Sequence, residues 1–165
     1  MKAIVAVDKK WGIGKNNDLL FSIPEDMKFF RQTTLNKIVV MGANTLRSFP
    51  NGNPLKNRTN IVLSTTIKRD DCLVFNSLDD LLNHLKSINS DDIFVIGGAK
   101  LYKTLLDYCE QVLVTKVDAD GDAKVFFENL DNLDGWKCVY QSETITSNGY
   151  NFKFTTYQNS KVKSF

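Results

Sequence analysis

Asp92-Ile93-Phe94-Val95-Ile96-Gly97-Gly98-Ala99-Lys100-Leu101-Tyr102 is the stretch on which the fold turns. It begins as an unbroken apolar run, which reads as a strand covered on both faces. It ends in two glycines and passes at once into a helical stretch, Ala99 to about Cys109. Strand, Gly-Gly, helix is the pattern of a parallel β-α unit, and glycines there let backbone approach a phosphate closely. Tight packing of strand on helix explains a lone Gly-Gly equally well.

Working outward, Ala3–Val7 and Lys37–Gly42 are apolar runs of the same kind, and Asn60–Ser64 and Leu73–Phe75 are shorter ones. Between them the spacing predicts helices from Ser22 to about Leu35, from Asn44 to Phe49, and from Leu78 to about Ile88 behind a Ser77 cap. Gln111–Val117, Trp136–Thr146 and Tyr150–Gln158 read as strands, the last two joined by the hairpin signal Ser147-Asn148-Gly149. The order predicts a single α/β domain over residues 1–165, with a mostly parallel eight-stranded sheet, an antiparallel C-terminal hairpin and about four flanking helices. Ligands bind such sheets at the carboxyl ends of the strands, here Val7-Asp8, Met41-Gly42, Ser64-Thr65 and Gly97-Gly98.

With 165 residues, 42% apolar and 24% charged, the chain can bury a core of its own. A net charge of +2, with basic residues scattered along the sequence, argues against nucleic acid and membrane as partners. Cys72, Cys109 and Cys138 have no metal-ligand or redox spacing and read as idle thiols in a reducing compartment. His84 is the only histidine and falls on a predicted surface helix, which disfavours Ser-His-Asp and His-rich metal chemistry. No signal peptide or membrane span is visible, so a cytoplasmic monomer without a bound metal is expected.

Ser22-Ile23-Pro24-Glu25-Asp26-Met27-Lys28-Phe29-Phe30-Arg31 carries the sharpest chemical hint. Ser22 and Glu25 fit a capping box, with Pro24 in the first turn. At about 100° per residue, Asp26 falls among Met27, Phe29, Phe30, Thr33 and Thr34, opposite Lys28, Arg31 and Gln32. A carboxylate on an apolar face needs a partner. The plain alternative is an acidic residue that favours a helix N-terminus. Before this helix runs a long loop, Asp8 to Leu20, with Gly12, Gly14, Asn16 and Asn17; loops of that length are more often functional than idle.

Several motifs stand in one register along the chain: Ile4-Val5-Ala6-Val7-Asp8, Gly12-Ile13-Gly14, Ile23-Pro24-Glu25-Asp26 with Phe29-Phe30, and Val40-Met41-Gly42 with Thr45 and Ser48. They continue through Arg58-Thr59-Asn60-Ile61-Val62-Leu63-Ser64, Val95-Ile96-Gly97-Gly98-Ala99 with Tyr102, and Thr115. These motifs together give the chain a resemblance to dihydrofolate reductases. It implies hydride transfer from NADPH to dihydrofolate, with a proton added at the pteridine N5, and antifolates as further ligands. Catalytic positions are Asp26, Phe21 and Thr115, with the Asp26 carboxylate on the 2-amino and N3 edge of the pterin and its pKa raised by burial. Ile4, Val5, Ala6, Ile96 and Tyr102 should line the pterin. Met27, Phe30, Phe49 and Leu55 should pack around it and the aminobenzoyl ring, and Arg58 should hold the glutamate α-carboxylate.

For the cofactor the resemblance implies Ala6, Ile13, Gly14 and Leu19 at the nicotinamide. Gly42, Ala43, Asn44, Thr45, Leu63, Ser64, Thr65, Ile96, Gly97, Gly98, Ala99, Lys100, Leu101 and Tyr102 follow along the rest, with a cis Gly97–Gly98 peptide. The loop from Gly14 to Ile23 should close over the site, braced by Asp122. The chain departs from the family in Leu19-Leu20-Phe21, which stands for a Leu-Pro-Trp-like segment, at Ala43, and in lacking a proline after Phe126-Phe127. Phe21 replaces a tryptophan and has no N–H to hold water, and Ala43 replaces an arginine for the 2′-phosphate, which should weaken discrimination between NADPH and NADH. Two other readings stay open: a reductase of another pterin or pyrimidine, and a non-catalytic folate- or nucleotide-binding member of the fold.

Overall fold

Strand residues alternate between two apolar layers, and this alternation fixes the architecture. In a computed structural model describing residues 1–165, Val39 and Met41 point to one side with Leu46 and Val62, while Val40 points to the other with Ile61, Val95 and Leu105. In chain order the elements are β1 (Lys2–Val7), β2 (Gly12–Gly14), α1 (Pro24–Thr34), β3 (Ile38–Gly42), α2 (Ala43–Ser48), β4 (Thr59–Leu63), β5 (Leu73–Phe75) and α3 (Leu78–Leu85). They continue with β6 (Ile93–Gly97), α4 (Ala99–Leu105), β7 (Gln111–Val117), β8 (Val125–Phe126), β9 (Trp136–Gln141), β10 (Ile145–Ser147) and β11 (Tyr150–Asn159).

The main sheet runs β10-β11-β7-β1-β6-β3-β4-β5. Pairings from β7 to β5 are parallel, and β11 is antiparallel to β7, β9 and β10. The predicted strand Trp136–Thr146 is two strands, β9 and β10, sharing one edge of β11. Nine strands therefore fill the eight predicted positions. The break falls at Ser142, whose N–H donates to the Phe154 carbonyl (2.8 Å) while its Oγ accepts from Phe154 N (2.9 Å). A bulge at Thr156/Tyr157 lets β11 serve both partners. The hairpin turns on Asn148 and Gly149, both at positive φ (51° and 81°), as a two-residue turn of this hand requires.

Ser77 Oγ accepts from Asp80 N as predicted. The ends of α3 and α4 come sooner than the periodicity suggests, at Leu85 and Leu105, and the chain tightens into a 3-10 turn over Leu106–Tyr108. The capping box does not form. Ile23, buried against Val117 and Phe152, takes the N-cap position, and its carbonyl accepts from Asp26 N and Met27 N. Ser22 lies outside the helix, where its carbonyl accepts from Asn148 Nδ2 at 2.6 Å. Burial of Ile23 thus overrides the local capping preference. His84 is not simply solvated: its ring lies 5.0 Å from Phe75, half-buried. All three cysteines are free. No helix is long and apolar enough to cross a membrane.

Candidate active site

The carboxylate and its partner come from two neighbouring elements. Asp26 lies in the first turn of α1, which rests on β7 and β11, where Phe29 packs on Phe154 with ring centroids 4.7 Å apart. Thr115 stands opposite Phe154 in the register, so its side chain emerges on that same face. Its hydroxyl, 2% exposed, donates to Asp26 Oδ1 at 2.6 Å. Burial pushes the Asp26 carboxyl above the ordinary carboxylate value, and the Thr115 hydrogen bond pulls it part of the way back. The apolar-face reading of Asp26 is the one the structure bears out.

Around this pair the sheet supplies a floor. Ala6 lies beside Thr115 in the β1–β7 register, and Ile4 is two residues back on the same face. Tyr102, buried on α4, donates its hydroxyl to the Ile4 carbonyl at 2.7 Å, and burial raises the phenol pKa. Val5 points away into the core, so only its backbone faces the floor. Ile96 closes the other side together with Phe49 and Leu55, all packed against the cluster of Val39, Met41, Leu46 and Val62. Met27 is 45% exposed at the rim. Phe21 meets Tyr150 edge-on at 4.9 Å and packs with Ile23 and Phe152, so its ring builds the wall and holds no polar group.

At the far end of α1, Arg58 is fixed by three hydrogen bonds. Nε donates to Thr34 Oγ1 (3.1 Å), and its two terminal nitrogens donate to the carbonyls of Lys56 (3.0 Å) and Arg31 (3.4 Å). Its guanidinium carbon lies 6.0 Å from the centre of the Phe30 ring. Burial, with the nearby Arg31 charge, lowers its pKa.

A second hollow lies where β3 and β6 end side by side. The Gly97–Gly98 peptide is cis, and Gly97 sits at φ 136°. A Cβ on Gly97 would come within 3.2 Å of Thr45 Oγ1, and one on Gly98 within 3.6 Å. At Gly97, therefore, a side chain would be strained and would press on Thr45, and glycine keeps the space beside the Gly42–Thr45 turn open. Ala99 and Lys100 begin α4 at this edge, with Lys100 exposed and without an acidic partner, whereas Leu101 is turned into the core. Leu63 is half-buried against the core, Ser64 Oγ accepts from Thr66 N (3.3 Å) and Ile67 N (3.2 Å), and Thr65 is exposed. Ala43 places no cation in this turn. Arg47 of α2 instead donates to Asn44 Oδ1 at 3.0 Å.

The loop after β1 runs between the two hollows and is tied to three segments. Asn17 Nδ2 donates to the Asn44 carbonyl (3.4 Å), Lys15 pairs with Asp122 (2.8 Å), and Asn148 holds Ser22. Asp122 is therefore joined to the loop, through Lys15. Gly14 accepts from Lys124 N, Ile13 packs on the core, and Leu19 projects into solvent, 70% exposed. Sequence reasoning missed Asp8 as the loop's anchor. Its carboxylate, 2% exposed, accepts the N–H groups of Lys10, Gly12 and Gly121 at 2.8, 2.7 and 3.1 Å. Its place at the end of an apolar strand, four residues before a glycine, was the only signal. The short β2–β8 pair beside it carries no periodicity and was missed too.

The model of the family described as dihydrofolate reductase matches residues 1–159 of this chain. The chain belongs to the dihydrofolate reductase family. It is 36% identical to the dihydrofolate reductase of Schistosoma mansoni, with 95% of each chain covered. It is 33% identical to that of Bacillus subtilis strain 168, over 94% of this chain and 92% of the relative. Its fold matches a dihydrofolate reductase from Enterococcus faecalis, solved with NADP(H) and RAB-propyl, at a TM-score of 0.82 and 27% identity. That match covers 96% of this chain and 95% of the other.

Proposed function

We propose that this reductase converts 7,8-dihydrofolate to 5,6,7,8-tetrahydrofolate with NADPH, seating the pterin on Asp26 and the cofactor along the Gly97-Gly98 edge. The observation that carries the reading is the Asp26–Thr115 pair: a half-buried carboxylate with one hydroxyl partner and no cation. Such a group is left with acceptor capacity for a ligand that offers two adjacent N–H donors, as the 2-amino and N3 edge of a pterin does. Arg58, at the opposite end of α1, suits the carboxylate of the glutamate tail. An amidine edge at one end and a carboxylate at the other favour dihydrofolate over a pterin or pyrimidine without a tail.

The glycine cradle with Thr45 fits a pyrophosphate, which needs close backbone approach. Gly42 to Thr45, Gly97, Gly98 and Ala99 would hold it; Lys100, Ser64 and Thr65 would face the adenosine phosphate. Ala6, Ile13 and Gly14 would meet the nicotinamide, and the Asn17 and Lys15 ties would keep the loop across it, excluding water. When bound there, NADPH would supply the hydride for the pterin C6.

This chain's residues handle the proton. Asp26 orients the ring through its far edge and, being ionisable and half-buried, favours the N5-protonated pterin electrostatically. Phe21 has no hydrogen-bonding atom with which to hold a relay water, so the proton reaches N5 from a water that this side chain does not position. The enzyme works as a single-domain cytoplasmic monomer. Turnover of dihydrofolate with NADPH and with NADH tests the reading. NADPH is the better cofactor, but with a narrow margin because Ala43 supplies no charge. Folded protein that binds folate and turns over with neither cofactor would leave it a binding module.

A further inference from the structure

Three strand ends lie side by side at the second hollow. Met41 stands opposite Gly97 and Gly42 opposite Leu63, so α2 starts between the Gly97-Gly98 edge and Ser64-Thr65. Arg47 lies one helical turn after Ala43, on the same face of α2. Its side chain turns back toward the start of the helix, where Nη1 donates to Asn44 Oδ1 at 3.0 Å. Ala43, with only a methyl group, leaves that ground clear for the guanidinium. Asn44 is fixed in turn, since its carbonyl accepts from Asn17 Nδ2 of the loop after β1 at 3.4 Å. The charge of Arg47 is uncommitted: no carboxylate lies within ion-pair distance of it. Arg69 differs. It lies beside Gly52, beyond the other end of α2, and its Nε and Nη2 both donate to the Asp71 carboxylate at 2.9 and 2.6 Å. An exposed arginine that is held in place, unpaired and turned toward a phosphate hollow is suited to an anion.

We propose that Arg47 is the residue by which this reductase tells NADPH from NADH, its guanidinium taking the 2′-phosphate of the adenosine ribose while Asn44 holds it in position. This rests on the reading of Gly42–Thr45 and the Gly97-Gly98 edge as the cofactor site. The two cofactors differ only in that phosphate, which is close to a dianion at neutral pH and offers three terminal oxygens. A planar fork of N–H donors matches such a group better than an ammonium does. One bond to Asn44 leaves most of the guanidinium donors of Arg47 for the ligand. The other cations stand elsewhere. Lys100 begins α4 on the β6 side, beside the edge where the pyrophosphate shared by both cofactors would lie, so its charge serves them alike. Lys68 lies on the exposed loop after Ser64 and Thr65. The Arg47 pair would be exposed to solvent, so its contribution is modest and salt weakens it.

The test is the dissociation constant of NADPH, NADH and adenosine 2′,5′-bisphosphate, measured by calorimetry at low salt on the full chain. The parent, Arg47→Gln, Arg47→Lys and Lys68→Gln are compared. The parent binds NADPH about tenfold more tightly than NADH. Arg47→Gln weakens NADPH and the bisphosphate by about five- to tenfold and leaves NADH within about twofold. Arg47→Lys keeps part of the preference, because it keeps the charge without the fork. Lys68→Gln keeps the preference within about twofold. An unchanged preference in Arg47→Gln overturns the proposal, as does equal weakening of both cofactors, which would put Arg47 on the pyrophosphate. A preference lost in Lys68→Gln and kept in Arg47→Gln overturns it too. All three results leave the cofactor site standing. Binding of neither cofactor by the parent refutes the site itself, and the assignment of Arg47 with it. Turnover of dihydrofolate is scored separately, so a chain that selects NADPH through Arg47 but reduces nothing supports the assignment and refutes the enzyme.

Discussion

Replacing Asp26 by Asn changes one oxygen for an NH2 group at nearly constant volume, and its consequences for activity and stability have opposite signs. In the parent, Oδ1 accepts from Thr115 at 2.6 Å and the carboxylate retains capacity for the two pterin donors. The amide can keep the Thr115 bond, but it turns a donor toward a donor and removes the charge. One charge-assisted hydrogen bond is worth about 1.5–3 kcal/mol, so kcat/KM for dihydrofolate falls on the order of 10²-fold. Stability moves the other way. Burial raises the Asp26 pKa in the folded protein above the ordinary 3.8, so the fold disfavours the ionised form. The resulting cost is absent below pH 3.8, grows as pH rises through the raised value, and is full at neutral pH. Asn has no such cost. The assay is paired: steady-state kinetics and thermal unfolding of both proteins at pH 7 and near pH 4. The variant should be slower and melt higher at pH 7, with the gap in Tm closing toward pH 4. Activity within about threefold of the parent would mean that Asp26 does not hold the substrate. Loss of activity together with a lower Tm at pH 7 would mean that the substitution damaged the fold instead.

Arg58→Leu should raise KM for dihydrofolate by about 10- to 100-fold with a smaller change in kcat, because the group acts on the tail and not on the reacting atoms; an equal fall in kcat would place it elsewhere. Gly97→Ala puts a Cβ 3.2 Å from Thr45 Oγ1 at a φ of 136°, so the Kd for NADPH measured by calorimetry should rise about tenfold or more while dihydrofolate binding changes little. Asp8→Ala strips acceptors from three backbone N–H groups, and denaturant unfolding should show a loss of about 2–3 kcal/mol. Ser77→Ala removes only the α3 cap, which should cost about 1 kcal/mol and leave turnover unchanged.

Where burial and periodicity agree, the sequence was enough. The runs at Ile38–Gly42 and Ile93–Gly97 could hardly be anything but buried parallel strands, and the stripe at Leu78, Leu81, Leu82 and Leu85 had to be one face of a helix. Asp26 was legible as an anomaly on such a face, although its hydroxyl partner lies 89 residues away and no local pattern points to it. What stayed hidden depends on packing between distant segments. Ile23 displaces Ser22 as the cap because its side chain is buried against Val117 and Phe152. Trp136–Thr146 breaks at Ser142, where the side-chain Oγ takes the Phe154 N–H of β11. Asp8 binds Lys10 and Gly12 locally but ties the loop to a distant segment only when residue 121 comes within reach. Lys28 and Lys56 likewise read as ordinary solvated charges, and only the fold brings them to one cleft with Arg31 and Arg58, between α1 and the loop before β4.

The central claim is that a hydride passes from NADPH to the pterin held by Asp26. Incubation of the purified chain with dihydrofolate and NADPH deuterated at the transferring position of the nicotinamide, followed by mass spectrometry of the product, tests it directly. The account predicts one deuterium per tetrahydrofolate, at C6, and one NADP formed for each. Bound but unreduced folate, or tetrahydrofolate without the label, would contradict it.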